Sequence, residues 1–407
     1  MSGIHLTGSI IWSACSPFLS ISIVLGIGIY LSKSGMVTAK DSKLLSTILI
    51  NVLYPCLLFP NVIVGVKPSN IGSFGIMTVA SAAIVVLGLL LGTIVLKLTN
   101  PPPGFRYGSV MATAMGNHGD MVLAVCISVG NLPPFSAGDS AKGVAYVGAF
   151  ICFTNIFFFT IGYKYIGEDF KNLPKADQSS LTVVETVIAT RKESHLETIE
   201  TSQAVQPSNL LIIEEDAKPK PTIYSTAKEW AIIFFNPSTI ATILGLIVTM
   251  VPVLRNLFYT DDSLTATATS QPLAFIFKSF QLVGGGAVPI GILNVGTALG
   301  RLQLKKFAPI RVIGAIGFCR LILMPVLGIV LVQVLATHGI IDANDKMMRF
   351  VIMLEAAVPT ASTCVFLTQY WHPKGESDMI ASVVVVQYGI AMVSMTFALA
   401  VMLSLLS

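Results

Sequence analysis

The chain has 407 residues, 54% of them hydrophobic and only 11% charged, with a formal net charge of +4. Soluble domains carry about 25% charged residues, and a core of this size cannot absorb so much apolar surface, so lipid must cover part of it and an ordinary soluble protein is excluded. The basic residues sit near segment ends, which is the pattern of topology signals, and a nucleic-acid partner is excluded.

A bilayer core takes roughly 20 apolar residues per helix. On that measure the first part of the chain holds five predicted spans, at 9–31, 43–66, 74–98, 107–130 and 143–166. The first residues lack a basic region, so no cleaved leader is expected. Span 2 carries "NVLYPCLLFP". Span 4 interrupts its apolar run with "GNHGD", residues 116–120. Residues 167–229 hold eleven of the 21 acidic residues and many Ser and Thr. They read as a cytosolic, largely disordered linker, a solvated tether whose Ser179, Ser180, Thr186, Ser194 and Thr201 are candidates for phosphorylation.

Five more spans follow at 231–254, 272–298, 307–335, 347–370 and 379–406. Span 7 carries "GGGAVPIGILNVG" and span 9 carries "EAAVPTAST". Trp12, Trp230 and Trp371 fall at span ends, as interfacial anchors do. Nine basic residues (Lys33, Lys40, Lys43, Lys97, Arg106, Arg301, Lys305, Lys306 and Lys374) fall on one side and five (Lys67, Lys142, Arg255, Lys346 and Arg349) on the other. The richer side is assigned to the cytosol.

The expected domains are therefore a five-helix repeat at 1–166, the linker at 167–229 and a second repeat at 230–407. Five is odd, so the second copy inserts upside down. The interrupted spans fall at matching places, 2 with 7 and 4 with 9. Inverted repeats with broken helices near the midplane are a plan of secondary transporters. The fold class is an all-α membrane protein of ten helices, two inverted five-helix repeats with helices 4 and 9 broken.

An ionised group near the bilayer centre costs about 2.5–3.5 kcal/mol on insertion scales, so each one needs a reason. His118 and Asp120 in span 4, Arg320 in span 8 and Glu355 in span 9 are such groups. They predict a polar cavity where spans 4, 8 and 9 meet. Gly116 and Gly119 let the helix unwind, and Asn117 offers donors and acceptors. Pro359 opens the hydrogen-bond ladder of span 9, and Thr360, Ser362 and Thr363 satisfy freed backbone or touch substrate. Helix N-termini at the two breaks favour an anion, and Arg320 can hold a carboxylate in bidentate fashion. The competing reading has Arg320 pair with Asp120 or Glu355 and merely tie helices together. His118 reads equally as a packing histidine or a proton carrier. Asp120 and Glu355 are candidates to exchange protons during transport. Asn51, Asn155 and Asn294 read as helix cross-links and stay outside the predicted site. Cys15, Cys56, Cys126, Cys152, Cys319 and Cys364 lie in apolar runs without C-x-x-C spacing and read as small buried hydrophobes. No metal or cofactor is expected.

Several ordered motifs carry a specific resemblance. "NPPPGFRYGSVMATAMGNHGD", "NPSTIATILGLIV", the loop "LRNLFYTDD", "CRLILMPVLGI" and "LEAAVPTASTCVFLTQYW" resemble the auxin efflux carrier superfamily, most of all its PIN-LIKES branch. The likeness runs along nearly all ten spans and fails in the linker. It implies a crossed-helix fold shared with some sodium/proton antiporters. Spans 1, 2, 6 and 7 would form a scaffold, often the surface of a homodimer, and spans 3–5 and 8–10 a mobile transport domain. It also implies elevator-like motion, an auxin-like aromatic carboxylate as substrate, the endoplasmic reticulum as location, and Asn117 and Pro359 as the best-placed site residues. Asp120 stands where the related motif has a second Asn, Val122 where it has Pro, and Glu355 where it has an uncharged residue.

The leading expectation is a carrier of a small organic acid. A proton-coupled carrier of a cationic or neutral solute and a non-transporting receptor are the alternatives. No nucleophile–base pair at usable spacing points to an enzyme.

Overall fold

The computed structural model describes residues 8–66, 71–171, 235–260 and 271–407. Most of the predicted linker with its candidate phosphorylation sites, and Trp230 just after it, lie outside the described residues. The described chain is helical throughout apart from short connections and one isolated bridge between Gly116 and Thr360.

Helix α1 spans Gly8–Lys33. Helix α2 (Ala39–Ile48) starts on a capping box, with Thr38 and Asp41 satisfying each other's backbone donors, and passes through a π-turn at Leu49–Leu53 into α3 (Tyr54–Gly65). Helix α4 covers Ile71–Thr99. The fourth predicted span divides into α5 (Arg106–Ala114) and α6 (Asp120–Val129). Helix α7 (Asp139–Phe157) continues through a second π-turn, Phe158–Gly162, into α8 (Tyr163–Lys171). The helix thus overruns the predicted linker boundary. Residues Gly167–Lys171 stay helical because Asp169 and Phe170 are buried, with Asp169 accepting from Tyr107 N at 3.0 Å and Gly108 N at 2.6 Å. Its carboxylate caps the otherwise unpaired N-terminus of α5.

Helix α9 (Pro237–Met250) opens with Asn236 accepting from Thr239 N and Pro237 in the first turn. The predicted sixth span does not continue to 254. Pro252 starts α10 (Pro252–Phe258), bent 112° from α9, so "LRNLF" is a helix rather than a loop. Helices α11 (Ala274–Gly284) and α12 (Ala287–Arg301) follow, then α13 (Ile310–Phe318), a third π-turn at Cys319–Leu323, and α14 (Met324–Thr337). The ninth predicted span divides into α15 (Lys346–Ala357) and α16 (Thr363–Trp371), and α17 runs over Asp378–Leu406.

Among the described residues, seven helices are long and apolar enough to cross a membrane, or eight when the bent pair counts as one span. The halves of the fourth and ninth segments are each too short to qualify. Their breaks are what the glycines and the proline predicted.

Two of the π-turns have a local cause. Pro55 and Pro325 each follow a π-turn as the second residue of the next helix. A proline lacks the N–H and crowds the carbonyl four residues earlier, here that of Asn51 or Leu321. The widened turn gives that carbonyl room.

Packing separates a protein-facing side from a lipid-facing one. Along α15 every residue from Phe350 to Ala357 is buried, in a cluster with Met121, Val125 and Phe150. Ile322, Val326, Val330 and Val334, spaced by four, are about half exposed, which forms an apolar stripe that water would not tolerate but lipid would. Helices α1 and α12 meet backbone to backbone. A Cβ at Gly28 would collide with Leu293 O and lie 2.8 Å from Gly296 Cα. Asn294 on α12 donates to Ser46 Oγ (3.0 Å) and Gln369 Oε1 (2.8 Å), tying α12 to α2 and α16, as a helix cross-link should. All six cysteines are free, and Cys126, Cys152, Cys319 and Cys364 are buried. Trp371 does not behave as a simple interfacial anchor. It packs on Tyr163 with ring centroids 4.7 Å apart, and its indole leaves no room for a Cβ at Gly167.

Candidate functional site

The two broken segments cross at their breaks. Asn117 N donates to Pro359 O at 2.8 Å, and Ala361 N donates to Met115 O at 3.0 Å. Residues 115–117 and 359–361 thus form a scrap of antiparallel pairing in an otherwise helical protein. It is the local answer to a general demand: where a helix unwinds away from water, the freed N–H and C=O groups must find partners. Thr360 completes the pairing. Its N–H donates to Gln387 Oε1 (2.9 Å), and its hydroxyl donates to Ala112 O (2.6 Å), an orphan carbonyl at the end of α5.

His118 folds back onto this crossing. Gly116 N donates to His118 Nε2 at 3.1 Å, and His118 Nδ1 lies 2.9 Å from Glu355 Oε2. With Nε2 accepting, the hydrogen-bond network assigns the neutral tautomer, its proton on Nδ1 and donated to Glu355 Oε2. The ring also packs against Phe150, with centroids 5.3 Å apart. His118 and Glu355 are 4% and 0% exposed.

Arg320 is fully buried in the third π-turn. Its Nη2 donates to Val358 O at 2.6 Å, while Nε and Nη1 have no hydrogen-bond partner. It forms no ion pair within 4 Å among the described residues, so the direct pairing with Glu355 weighed from the sequence does not form. What the guanidinium does is satisfy the last free carbonyl of α15 before Pro359. Gly116 leaves the space that the guanidinium occupies, since a Cβ there would collide with Nη2 and sit 2.7 Å from Val358 Cγ2.

A cavity of about 300 Å³ opens beside the crossing. Span 4 contributes Gly116, Asn117, His118 and Gly119, and span 9 contributes Ser362 and Thr363. Pro359, Thr360, Glu355 and Arg320 do not line it. The expectation that spans 4, 8 and 9 enclose the cavity is therefore corrected. Arg320 faces the Val358 carbonyl and span 8 contributes no lining residue, while α3, α7 and the π-turn after α7 form the opposite walls through Tyr54, Leu58, Asn61, Ile151, Thr154, Asn155 and Phe158. Asn117 Nδ2 also reaches Tyr388 OH at 3.2 Å. Asp120 begins α6, but its side chain lies outside the described part of the structure. Asn155, read from the sequence as a cross-link, is a cavity wall, whereas Asn51, among the described residues, bonds back to Thr47 O of its own helix. Asn61 and Thr154 were missed altogether. Their one signal is an amide or hydroxyl inside an apolar run beside aromatic residues.

A helical body with a lipid-facing apolar surface, and broken helices crossing beside a cavity of mixed apolar and polar lining, fits a membrane transport protein. Comparison with known proteins agrees. The chain belongs to the family described as "Membrane transport protein", that of the auxin efflux carriers, whose sequence profile matches residues 13–399. Its relatives in Arabidopsis thaliana include Protein PIN-LIKES 2, 24% identical over 86% of this chain and 85% of its own length. Protein PIN-LIKES 7 is 24% identical over 97% and 98%, and Protein PIN-LIKES 3 is 26% identical over 94% and 95%. The chain is thus a multi-span integral membrane transporter and not an enzyme.

Proposed function

We propose that this protein carries a small organic acid of the auxin type, an aromatic carboxylate, across the membrane by elevator-like alternating access. The observation that carries the reading is the crossing of α5/α6 with α15/α16 over one cavity of about 300 Å³. That volume is at the small end of ligand pockets and suits a one- or two-ring solute. Tyr54, Leu58, Ile151 and Phe158 supply a face for the ring. Asn117, Ser362, Thr363 and Asn155, with the N-termini of α6 and α16, supply donors for a carboxylate.

In this reading the ten segments are two inverted five-helix repeats, 1–166 and 230–407, joined by the 167–229 linker. The segments built on α1, α2/α3, α9 and α11/α12 are the scaffold and the surface of a homodimer, and the rest move with the crossing. The endoplasmic reticulum membrane is the proposed location, on the likeness to PIN-LIKES proteins. Glu355 is turned into His118 and does not line the cavity, which favours an anionic over a cationic solute.

The test is uptake of labelled indoleacetate into proteoliposomes holding the full chain. Saturable uptake that unlabelled acid accelerates from the other side, and that Asn117→Ala abolishes, is expected. Binding without flux would instead make the protein a receptor.

A further inference from the structure

Among the described residues the cavity has no fixed cation. Arg320 does not line it but sits behind Gly116 with its Nη2 committed to Val358 O, and the remaining polar lining is amide, hydroxyl and imidazole. An anion desolvated there needs a matching charge. His118 is the lining side chain that can acquire one. Resting on the carrier reading above, we propose that the cavity binds its organic anion together with one proton, taken up at His118 Nε2.

The geometry makes this specific. Nδ1 is already committed to Glu355, so the free site for a proton is Nε2, whose lone pair now accepts from Gly116 N–H. A proton arriving at Nε2 places donor against donor and ends the Gly116 bond. Two N–H groups, that of Nε2 and that of Gly116, then lack an acceptor side by side at the cavity wall. A carboxylate has two oxygens and accepts from both. The one covalent bond formed is Nε2–H. The proton comes from solvent, the imidazole becomes imidazolium, and Glu355 holds its other end as an ion pair. Anion and imidazolium cancel, so the site gains no net charge when both bind. Without the anion, the imidazolium would be a second buried cation near Arg320, with Glu355 the carboxylate in contact among the described residues. Proton and anion binding are therefore coupled.

The charged and titratable groups around His118 act as follows. Glu355 on α15 meets the ring at Nδ1, and Arg320 lies on the far side of Gly116. Cys126 on α6 lies near Glu355, and Cys364 on α16 and Cys319 lie near Arg320. Tyr388 on α17 meets Asn117, and Tyr54 on α3 shares the cavity.

The experiment is calorimetric titration of the purified full-length protein with indoleacetate, in two buffers of different ionisation enthalpy. It is repeated over roughly pH 6 to 8, where the ligand is fully ionised. Indoleacetamide, the neutral isostere, is the second probe. The expected result is uptake of about one proton per indoleacetate, with affinity falling about tenfold per pH unit as pH rises. Indoleacetamide should show neither effect. His118→Gln, which keeps a hydrogen-bonding side chain of similar reach, should bind indoleacetate more weakly than the wild type at pH 6, without proton uptake and without the pH slope. Indoleacetate binding with no proton uptake by the wild-type protein overturns this inference and leaves the carrier reading standing. Proton uptake that persists in His118→Gln overturns the assignment to His118. No binding of indoleacetate at any pH overturns the carrier reading and this inference together.

Discussion

Gly116 and Gly119 stand three residues apart in one motif, yet the structure gives them opposite roles. A methyl group at Gly116 would collide with Arg320 Nη2 and come within 2.7 Å of Val358 Cγ2 and 3.0 Å of Arg320 Cζ, whereas one at Gly119 would meet nothing within 4 Å. Overpacking of this kind costs about 1–3 kcal/mol. Displacing the guanidinium also breaks its bond to Val358 O, and a hydrogen bond from a charged donor is worth about 1.5–3 kcal/mol. Gly116→Ala should therefore cost about 2.5–6 kcal/mol, and Gly119→Ala about 0.5 kcal/mol or less. The assay is thermal unfolding of the purified protein in detergent, read by tryptophan fluorescence and by retention of a single peak on size exclusion. Combining Gly116→Ala with Arg320→Met, which replaces the rigid fork by a flexible chain, should cost less than the sum of the two single changes, by about 0.5–3 kcal/mol. An unchanged midpoint for Gly116→Ala, or equal damage from both glycine substitutions, would refute the claim that Gly116 exists to admit Arg320.

Three further outcomes follow from the same geometry. Asp169→Ala strips the cap from Tyr107 N and Gly108 N and should lower stability by about 1–2 kcal/mol in the same unfolding assay. Asn294→Leu removes the donor shared by Ser46 and Gln369 and should cost about 1–3 kcal/mol, while leaving the KM for indoleacetate uptake unchanged. Asn155→Ala, by contrast, should leave the unfolding midpoint in place and raise that KM about tenfold, the equivalent of one lost hydrogen bond of about 1.4 kcal/mol.

The sequence made the lipid-facing helices legible because apolar length is a one-dimensional property. The breaks at 115–119 and 358–362 were legible too, because glycine and proline act on the backbone at their own positions. The direction in which Arg320 points was not. Its partner is a main-chain carbonyl 38 residues away, and carbonyls are everywhere in a sequence. The walls of the cavity were hidden for a related reason. Asn155 and Asn294 look alike as amides in apolar helices, and only packing sends one to a cavity and the other to a buried network. The bend after α9 was missed because "VPVL" is apolar enough to read as the end of a span, although its proline marks the corner. The helix at Gly167–Lys171 was missed because a run of polar residues outweighed the single carboxylate that caps a neighbour.

The π-turn at Cys319–Leu323 has a bearing on how the chain tolerates lost residues. Such a turn holds one amino acid more than the α-helix around it, and each residue of a helix advances the direction of its side chain by about 100°. A single deletion inside it, which would ruin the phase of an ordinary helix, could be absorbed by rewinding the turn. Ile322, Val326, Val330 and Val334 would then keep to the lipid, while the Pro325 ring would press on the carbonyl that the wider loop had moved aside. Deleting a residue two turns later would instead rotate the greasy stripe inward, with no slack anywhere to take up the error.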